Sequence, residues 1–484
     1  MTEDITLLGA VHQARLIARR ELSPVELIRA CLQRIERYDT KLRAYITICA
    51  DEAMAAARQA EPEIAGGRYR GPLHGLPFGV KDQLHAAGVR TTLGSRATGH
   101  KFASEDATCI ARLKAAGAIL IGKENLHEFG KGGTHEFPFG QPRNPWNLAY
   151  NPAGSSSGSG IAPAAGFTSF SLGEDTGGSV RSPAAANGIV GLRPTFGRVS
   201  RHGGVMYGWT ADTIGPLARR VEDVAMVMST ISGADPQDPL CSNRPVPDYR
   251  STLTLDLQGI RLGVVREMAF PEGVHPEVRA ALEKALDDLR ALGATLEEVS
   301  LPRAKYAVPL QLLTSDADIA SMFVHKWLRS HWHDIDVGTR QRLGAAALIP
   351  ATVYARANRA RVIVRKEVLD ACGRFDALIA ATSLNPPGLI DAVRETVASK
   401  EDMSTKVILR RIGTYPFSMA NVPALAVPMG FCSKGLPLSL QIAAKPFDEA
   451  MVFRVAHAYE QATPWHTRHP DVAKSIAGFA ASIF

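Results

Sequence analysis

Amphipathic helical segments alternate with short apolar runs along almost the whole chain, and few architectures accommodate that order. "SPVELIRACLQRIERYD" begins a helix with Ser23 as its cap, Pro24 in the first turn and Glu26 completing a capping box. "ATCIARLKAAGAILIGK" reads as a helix, a glycine stop at Gly117 and an apolar strand. "HPEVRAALEKALDDLRALGATLEEVSL" repeats the design. Its Val278, Ala281, Leu282, Leu286 and Leu289 share one helical face, and Gly293 ends the helix. "FDALIAAT", "ALAVPMG" and "LSLQIAA" are further short strands towards the C-terminal end. Helices alternating with apolar strands predict an α/β layered fold around a mostly buried sheet. With 484 residues, 45% of them hydrophobic, the chain can bury a large core. Only "SGADPQDPLCSNRPVPD" (232–248) looks like a connector, and it need not divide two units, so a single domain over 1–484 is expected.

Several classes are disfavoured at this level. No run approaches 18 apolar residues, and the N-terminus mixes charges into an amphipathic pattern instead of the basic start and apolar block of a secretory signal. The expectation is a cytoplasmic protein with no membrane partner. Cys31, Cys49, Cys109, Cys241, Cys372 and Cys432 are scattered, which fits reduced thiols better than zinc ligands or a disulfide framework. The net charge is +7, but the basic residues are dispersed, with tight Arg pairs at 19–20 and 410–411. That pattern favours a solvated surface, so no nucleic-acid partner is expected.

Three stretches carry candidate chemistry. "NPAGSSSGSG" (151–160) has the composition of a flexible linker, yet Gly154-Ser155-Ser156-Ser157-Gly158 also matches the G-x-S-x-G nucleophile elbow with Ser156 at its centre. The elbow needs a strand before it, and "RNPWNLAYNPA" reads as a loop. The second stretch is "FSLGEDTGGSVRSPAAANGIVGLRPT", in which an apolar segment leads to Thr176-Gly177-Gly178-Ser179 and then to a small-residue segment able to form a helix. Two glycines before a serine allow a tight turn whose N–H groups converge on an anion, as an oxyanion hole requires. Ser179 would then be a nucleophile; the alternative is a structural Gly-Gly turn. The third is "GPLHGLPFGVKDQLHAAG", where an apolar strand, Leu76 to Val80, delivers Lys81. A lysine at the end of a buried strand loses hydration and can serve as a base; alternatively it is a surface residue paired with Asp82. A serine nucleophile needs a base, no histidine lies in these segments, and the Gly/Ser loop offers hydroxyls that could pass a proton between Lys81 and Ser179.

Together, in this order, "GPLHGLPFGVKD", "NPAGSSSGSG" and "GEDTGGSVRSPAA…GLRPT" resemble the amidase signature family, closely over about 71–218 and more loosely over most of the rest. The resemblance implies a large twisted mixed β-sheet flanked on both faces by helices. It places Lys81, Ser155 and Ser179 where the family has its lysine, its cis-peptide serine and its nucleophile. Neutral Lys81 would accept a proton from Ser155, which takes one from Ser179 as it attacks a carbonyl. The N–H groups of Thr176, Gly177, Gly178 and Ser179 would hold the oxyanion, and water would release the acyl-enzyme with no metal and no cofactor. Ala153, Glu174, Asn187 and Arg193 depart from the family pattern, Glu174 replacing a small hydroxyl residue, and none is expected to touch the triad.

"HEFGKGGTHEFPFG" (127–140) resembles the segment that lines the family's acyl site, making Gly130, Lys131 and Gly132 candidate substrate contacts. Its two His-Glu pairs do not form H-E-x-x-H, so a metal site is not expected. Many family members cleave small or aryl amides, and some cleave esters or carbamates. Another branch is the glutamine-hydrolysing subunit of the tRNA amidotransferase, in which an acidic residue near position 411 holds the substrate ammonium. Here Arg411 stands at that place and would repel an ammonium. Met206, Tyr207 and Trp209 could form an apolar wall, or simply pack in the core. The expectation is therefore a stand-alone hydrolase, monomer or homodimer, acting on a small-molecule apolar or aryl amide, with ester and carbamate cleavage plausible; the alternative is the amidotransferase subunit.

Overall fold

The computed structural model describes residues 4–99, 102–323, 330–392 and 396–481. Eleven strands form one mixed sheet: β1 (Tyr45–Ile48), β2 (Pro77–Lys81), β3 (Ile119–Glu124), β4 (Phe170–Asp175), β5 (Val190–Arg193), β6 (Thr213–Ala218), β7 (Arg261–Val265), β8 (Thr295–Val299), β9 (Ala377–Ala381), β10 (Ala424–Phe431) and β11 (Pro437–Ala443). Their order across the sheet is β1-β3-β2-β4-β6-β5-β10-β11-β9-β7-β8. Helices cover both faces. Strands β2, β3, β4, β6, β9 and β11 are buried along their whole length, the charged ends of β2, β3 and β4 included. At one edge, β8 is "TLEEV" and largely exposed; its Glu297 and Glu298 put charge on an edge that would otherwise invite pairing.

The local signals read from the sequence recur in the structure. The helix Pro24–Leu42 starts where Ser23 Oγ accepts the N–H groups of Val25 and Glu26. The helix Thr108–Ala115 stops before Gly117, which has φ 87°, and β3 follows. The helix Pro276–Ala291 leads to Gly293 at φ 96° and then to β8. The connector 232–248 lies between β6 and β7, two strands of the same sheet. The Arg198 guanidinium holds it down through the carbonyls of Arg244 and Pro245.

Strands β2 and β4 position the candidate chemistry. They are parallel neighbours, with Phe78 opposite Phe170 and Val80 opposite Leu172. Their C-terminal ends therefore open on the same side of the sheet. Ligands in open α/β sheets tend to sit at such ends.

Candidate active site

Lys81 is the last residue of β2 and is wholly buried. Its Nζ lies 2.9 Å from Ser155 Oγ, 2.8 Å from Glu174 Oε2 and 3.3 Å from the Glu174 carbonyl oxygen. The surface reading of Lys81 paired with Asp82 does not hold, because Asp82 pairs instead with Lys123 on β3 at 2.8 Å. The expectation that Glu174 lies away from the triad is also corrected. Glu174 is the penultimate residue of β4, and the parallel register carries its side chain across to Lys81.

The Gly/Ser stretch is an ordered loop followed by the helix Ser157–Ala164, and its hydroxyls fasten it in place. Ser156 Oγ bonds the Glu174 carbonyl at 3.2 Å, Ser157 Oγ the Ala153 carbonyl at 2.7 Å, and Ser159 Oγ the Leu172 carbonyl at 3.3 Å. Ser156 is therefore turned towards β4, while Ser155 faces the cavity. The Gly154–Ser155 peptide bond is cis. Glycine at 154 is required by close packing, since a Cβ there would come within 2.2 Å of the His127 ring.

Ser179 follows β4 on a turn that leads into the helix Arg181–Asn187. Asp175 organises that turn. Its carboxylate accepts the N–H of Gly178 at 2.7 Å and of Val180 at 3.2 Å. It also pairs with Arg181 at 3.1 Å and Arg193 at 3.2 Å, all three side chains being fully buried. Burial opposes the charge on Asp175, but the two guanidinium groups hold its carboxyl well below the usual carboxylate range. Arg181 reaches on to Gln441 Oε1 at 2.7 Å, tying the turn to β11. One of the expected oxyanion donors is thereby withdrawn: the Gly178 N–H is occupied by Asp175. Among the described residues, the N–H groups of Thr176, Gly177 and Ser179 have no such partner.

Ser155 and Ser179 both line a cavity of about 890 Å³. Its wall includes His127, the chain at Lys131 and Gly132, and the side of the fold bearing Arg411, Thr414 and Tyr415. Thr414 Oγ1 donates to the Gly177 carbonyl at 2.6 Å, and the Arg411 carbonyl accepts the N–H groups of Thr414 and Tyr415 at 3.1 Å each. Arg411 thus sits one turn from a residue that touches the loop bearing Ser179. Burial, and then the charge of Lys81, push the His127 imidazole down to about 4. The sequence alone pointed to no role for His127 beyond its place in the acyl-site segment, although its backbone N–H donates to the Ser155 carbonyl at 3.1 Å.

Other expected contacts fall elsewhere. Gly130 does not line the cavity; it packs between Gln83 and Tyr207. Lys131 lines it, but its ammonium is committed to Asp316 at 2.7 Å and Ser315 at 2.9 Å. Met206, Tyr207 and Trp209 form no apolar wall: Tyr207 is buried against Phe129 and Phe323, Met206 packs on the main core, and Trp209 is 60% exposed. Other segments supply the wall: apolar Pro386, Leu389 and Leu436 stand there beside the ionisable His275, Glu277, Arg411 and Lys434.

The family model for Amidase matches residues 26–453. The chain belongs to the amidase signature family. Family membership and relatives make it an enzyme of amide C–N bonds, by hydrolysis or amide transfer. The chain is 41% identical over 479 residues to a subunit of the glutamyl-tRNA(Gln) amidotransferase of Roseiflexus sp., covering 94% of this chain and 96% of that protein. The crystal structure of the corresponding glutamyl-tRNA(Gln) amidotransferase subunit from Thermotoga maritima superposes with a TM-score of 0.81 at 29% identity, covering 98% of this chain and 99% of that one. The native peptide amidase from Stenotrophomonas maltophilia superposes with a TM-score of 0.82 at 30% identity, covering 96% and 98%.

These amidase signature relatives overturn the expected hydrolase of apolar or aryl amides, esters or carbamates. At about 40% identity over nearly their full length, they carry the name of an amidotransferase subunit. The expected partners are corrected by the same finding. The relatives are named as one subunit of an enzyme of a glutamyl-tRNA, not as a monomer or homodimer working on small molecules without nucleic acid. The repulsion argued for Arg411 holds only for a substrate whose ammonium docks against it; a substrate carboxylate would be attracted there. Among the described residues, no helix is long and apolar enough to cross a membrane.

Proposed function

We propose that this chain is the amidase subunit of a tRNA-dependent amidotransferase, hydrolysing the side-chain amide of glutamine and supplying the ammonia for amidation of a glutamyl-tRNA. The observation that carries this reading is the 41% identity, over 94% of the chain, to a subunit of that name. The cavity suits the substrate. Glutamine brings a carboxylate and an ammonium beside its amide, and the wall offers the Arg411 guanidinium and the Glu277 carboxylate.

In this reading Ser179 Oγ attacks the amide carbon and its proton passes through Ser155 to Lys81. The N–H groups of Thr176, Gly177 and Ser179 hold the oxyanion. The proton then returns along the relay to the leaving nitrogen, the C–N bond breaks, and ammonia departs. Water cleaves the γ-glutamyl ester on Ser179, giving glutamate. The backbone at Lys131 and Gly132 flanks the acyl group. The chain acts as one unit, because Ser155 and Ser179, from its N-terminal half, and Arg411, from its C-terminal part, line the same cavity.

The test is to isolate the chain with whatever it binds in its source organism and to supply glutamyl-tRNA(Gln) and glutamine. Glutamine-dependent amidation of the tRNA-bound glutamate is the expected result. Its absence, in a preparation that still hydrolyses a simple amide, overturns the proposal.

A further inference from the structure

We propose that Glu174 is a positioning residue for the relay: its carboxylate aims the Lys81 amine at Ser155 and balances the positive charge that Lys81 acquires when the proton arrives. The inference rests on the acyl-enzyme reading above, but not on the identity of the amide.

A neutral lysine amine has two N–H bonds and one lone pair. Three oxygens surround Lys81 Nζ: Glu174 Oε2 at 2.8 Å, the Glu174 carbonyl at 3.3 Å and Ser155 Oγ at 2.9 Å. A carboxylate and a carbonyl oxygen can only accept hydrogen bonds. The two N–H bonds therefore go to Glu174, and the lone pair is left facing the Ser155 hydroxyl. The relay requires that polarity. With a small hydroxyl at position 174 the amine would lose one of its two acceptors and could turn.

The carboxylate also answers the charge that the relay creates. As the Ser179 Oγ–carbon bond forms, the carbonyl π pair moves to oxygen. The Ser179 proton passes to Ser155 and the Ser155 proton to Lys81. An ammonium therefore appears on a side chain that is wholly buried. A buried unpaired charge is strongly disfavoured, and a carboxylate in contact compensates it. Glu174 is equally buried, and its other oxygen accepts the Thr176 hydroxyl at 2.8 Å. Both oxygens thus face donors, as suits a carboxylate. The arrangement parallels the aspartate that holds and compensates the histidine of a Ser-His-Asp triad.

The charged and titratable groups facing this pair come from several elements. Asp82 and Lys123 neutralise each other. Glu124, opposite Lys81 on β3, accepts the Ser171 hydroxyl and is pushed up to about 8 by burial. Burial holds His127 down at about 4, so it is neutral at pH 7. Tyr207 is held well above its ordinary value by burial, then by Glu174. Asp212, which accepts the N–H groups of Tyr207 and Gly208, is pushed up to about 7 by burial, then by Glu174. Asp175 is committed to Arg181 and Arg193. Glu174 is therefore the one carboxyl among them in contact with Lys81.

The test reads nucleophile activation directly, as the rate at which a fluorophosphonate labels Ser179 across pH, and so needs no knowledge of the natural amide. In Glu174→Gln the plateau rate should fall about 100-fold, the scale of a general acid–base contribution. The acidic limb should move to lower pH, because an ammonium without a carboxylate beside it releases its proton more readily. Glu174→Asp should recover part of the rate and restore the limb. Thermal melting checks folding; if the Gln variant does not fold, Glu174→Ser, which places a small hydroxyl there, is read in the same way. A limb that stays at its wild-type position, whatever the rate does, overturns the role of Glu174. Failure of the wild type to be labelled at Ser179 overturns the acyl-enzyme reading itself, and this inference with it.

Discussion

The carboxylate of Asp175 accepts the Gly178 N–H at 2.7 Å, so the turn that presents Ser179 hangs from a buried ion cluster instead of from its own flexible backbone. Arg181 and Arg193 complete the cluster, and through Gln441 it reaches β11 on the far side of the sheet centre. A Gly-Gly-Ser sequence free to move would be a poor scaffold for converging N–H groups; here its shape is dictated from beneath.

Replacing Asp175 with Asn should therefore destabilise the fold as well as the site. Two buried guanidinium groups would lose their counter-charge, at a cost of about 3–5 kcal/mol near neutral pH. Because the folded-state carboxyl of Asp175 is held low, its contribution is present above the ordinary aspartate pKa of about 4 and is lost as pH falls below it. Urea melts at pH 7 and at pH 3 should show a large gap between wild type and variant at the first pH and a smaller one at the second.

A second buried carboxyl carries the opposite sign. Glu460, in the helix Glu449–Ala462, accepts the Val221 N–H at 2.8 Å and is pushed by burial to about 8. Such a group binds its proton more tightly folded than unfolded, so its contribution is greatest below pH 4.5 and is lost as pH rises towards 8. Glu460→Gln keeps the acceptor and removes the charge. The variant should melt with wild type at pH 4 and be more stable at pH 9, by on the order of 3 kcal/mol. Equal melting temperatures at pH 9 would contradict the assigned burial effect.

Substrate recognition is tested at Arg411. If its guanidinium holds the substrate carboxylate, Arg411→Ala should raise KM for glutamine about 30–100-fold, the worth of a charge-assisted hydrogen bond of about 2–3 kcal/mol, and leave kcat nearly unchanged. Glutamine whose α-carboxylate is converted to an amide should be a poor substrate for the wild type and indifferent to the substitution. A variant with unaltered KM for glutamine would remove Arg411 from the recognition site.

The sheet and the chemistry differ in how plainly the sequence shows them. Continuous apolar runs such as "FDALIAAT" and "LSLQIAA" announce buried strands, and Ser23, Gly117 and Gly293 mark helix ends through local backbone chemistry. Lys81, Ser155 and Ser179 stand in motifs whose spacing carries information, and the fold brings Lys81 within 2.9 Å of Ser155 and sets Ser155 and Ser179 in one cavity. What escaped depends on register. Glu174 meets Lys81 only because β2 and β4 are parallel neighbours, a pairing that no local signal encodes. The capture of the Gly178 N–H by Asp175 depends equally on the shape of the turn. The residues around the substrate were equally hard to read: Met206, Tyr207 and Trp209 are apolar in sequence, but the cavity wall is assembled from distant segments carrying Pro386, Leu389, Leu436, Glu277 and Arg411.

In the proposed reaction Ser179 takes the acyl group of glutamine. The direct measurement is to mix the chain, together with any bound partners, with isotopically labelled glutamine, stop the reaction in acid within the first turnover and map the label by mass spectrometry. A γ-glutamyl ester on the peptide containing Ser179, absent in Ser179→Ala and retained in Ser156→Ala, is the predicted result. Label on Ser156, or no labelled peptide while a simple anilide acylates Ser179, would contradict the claim.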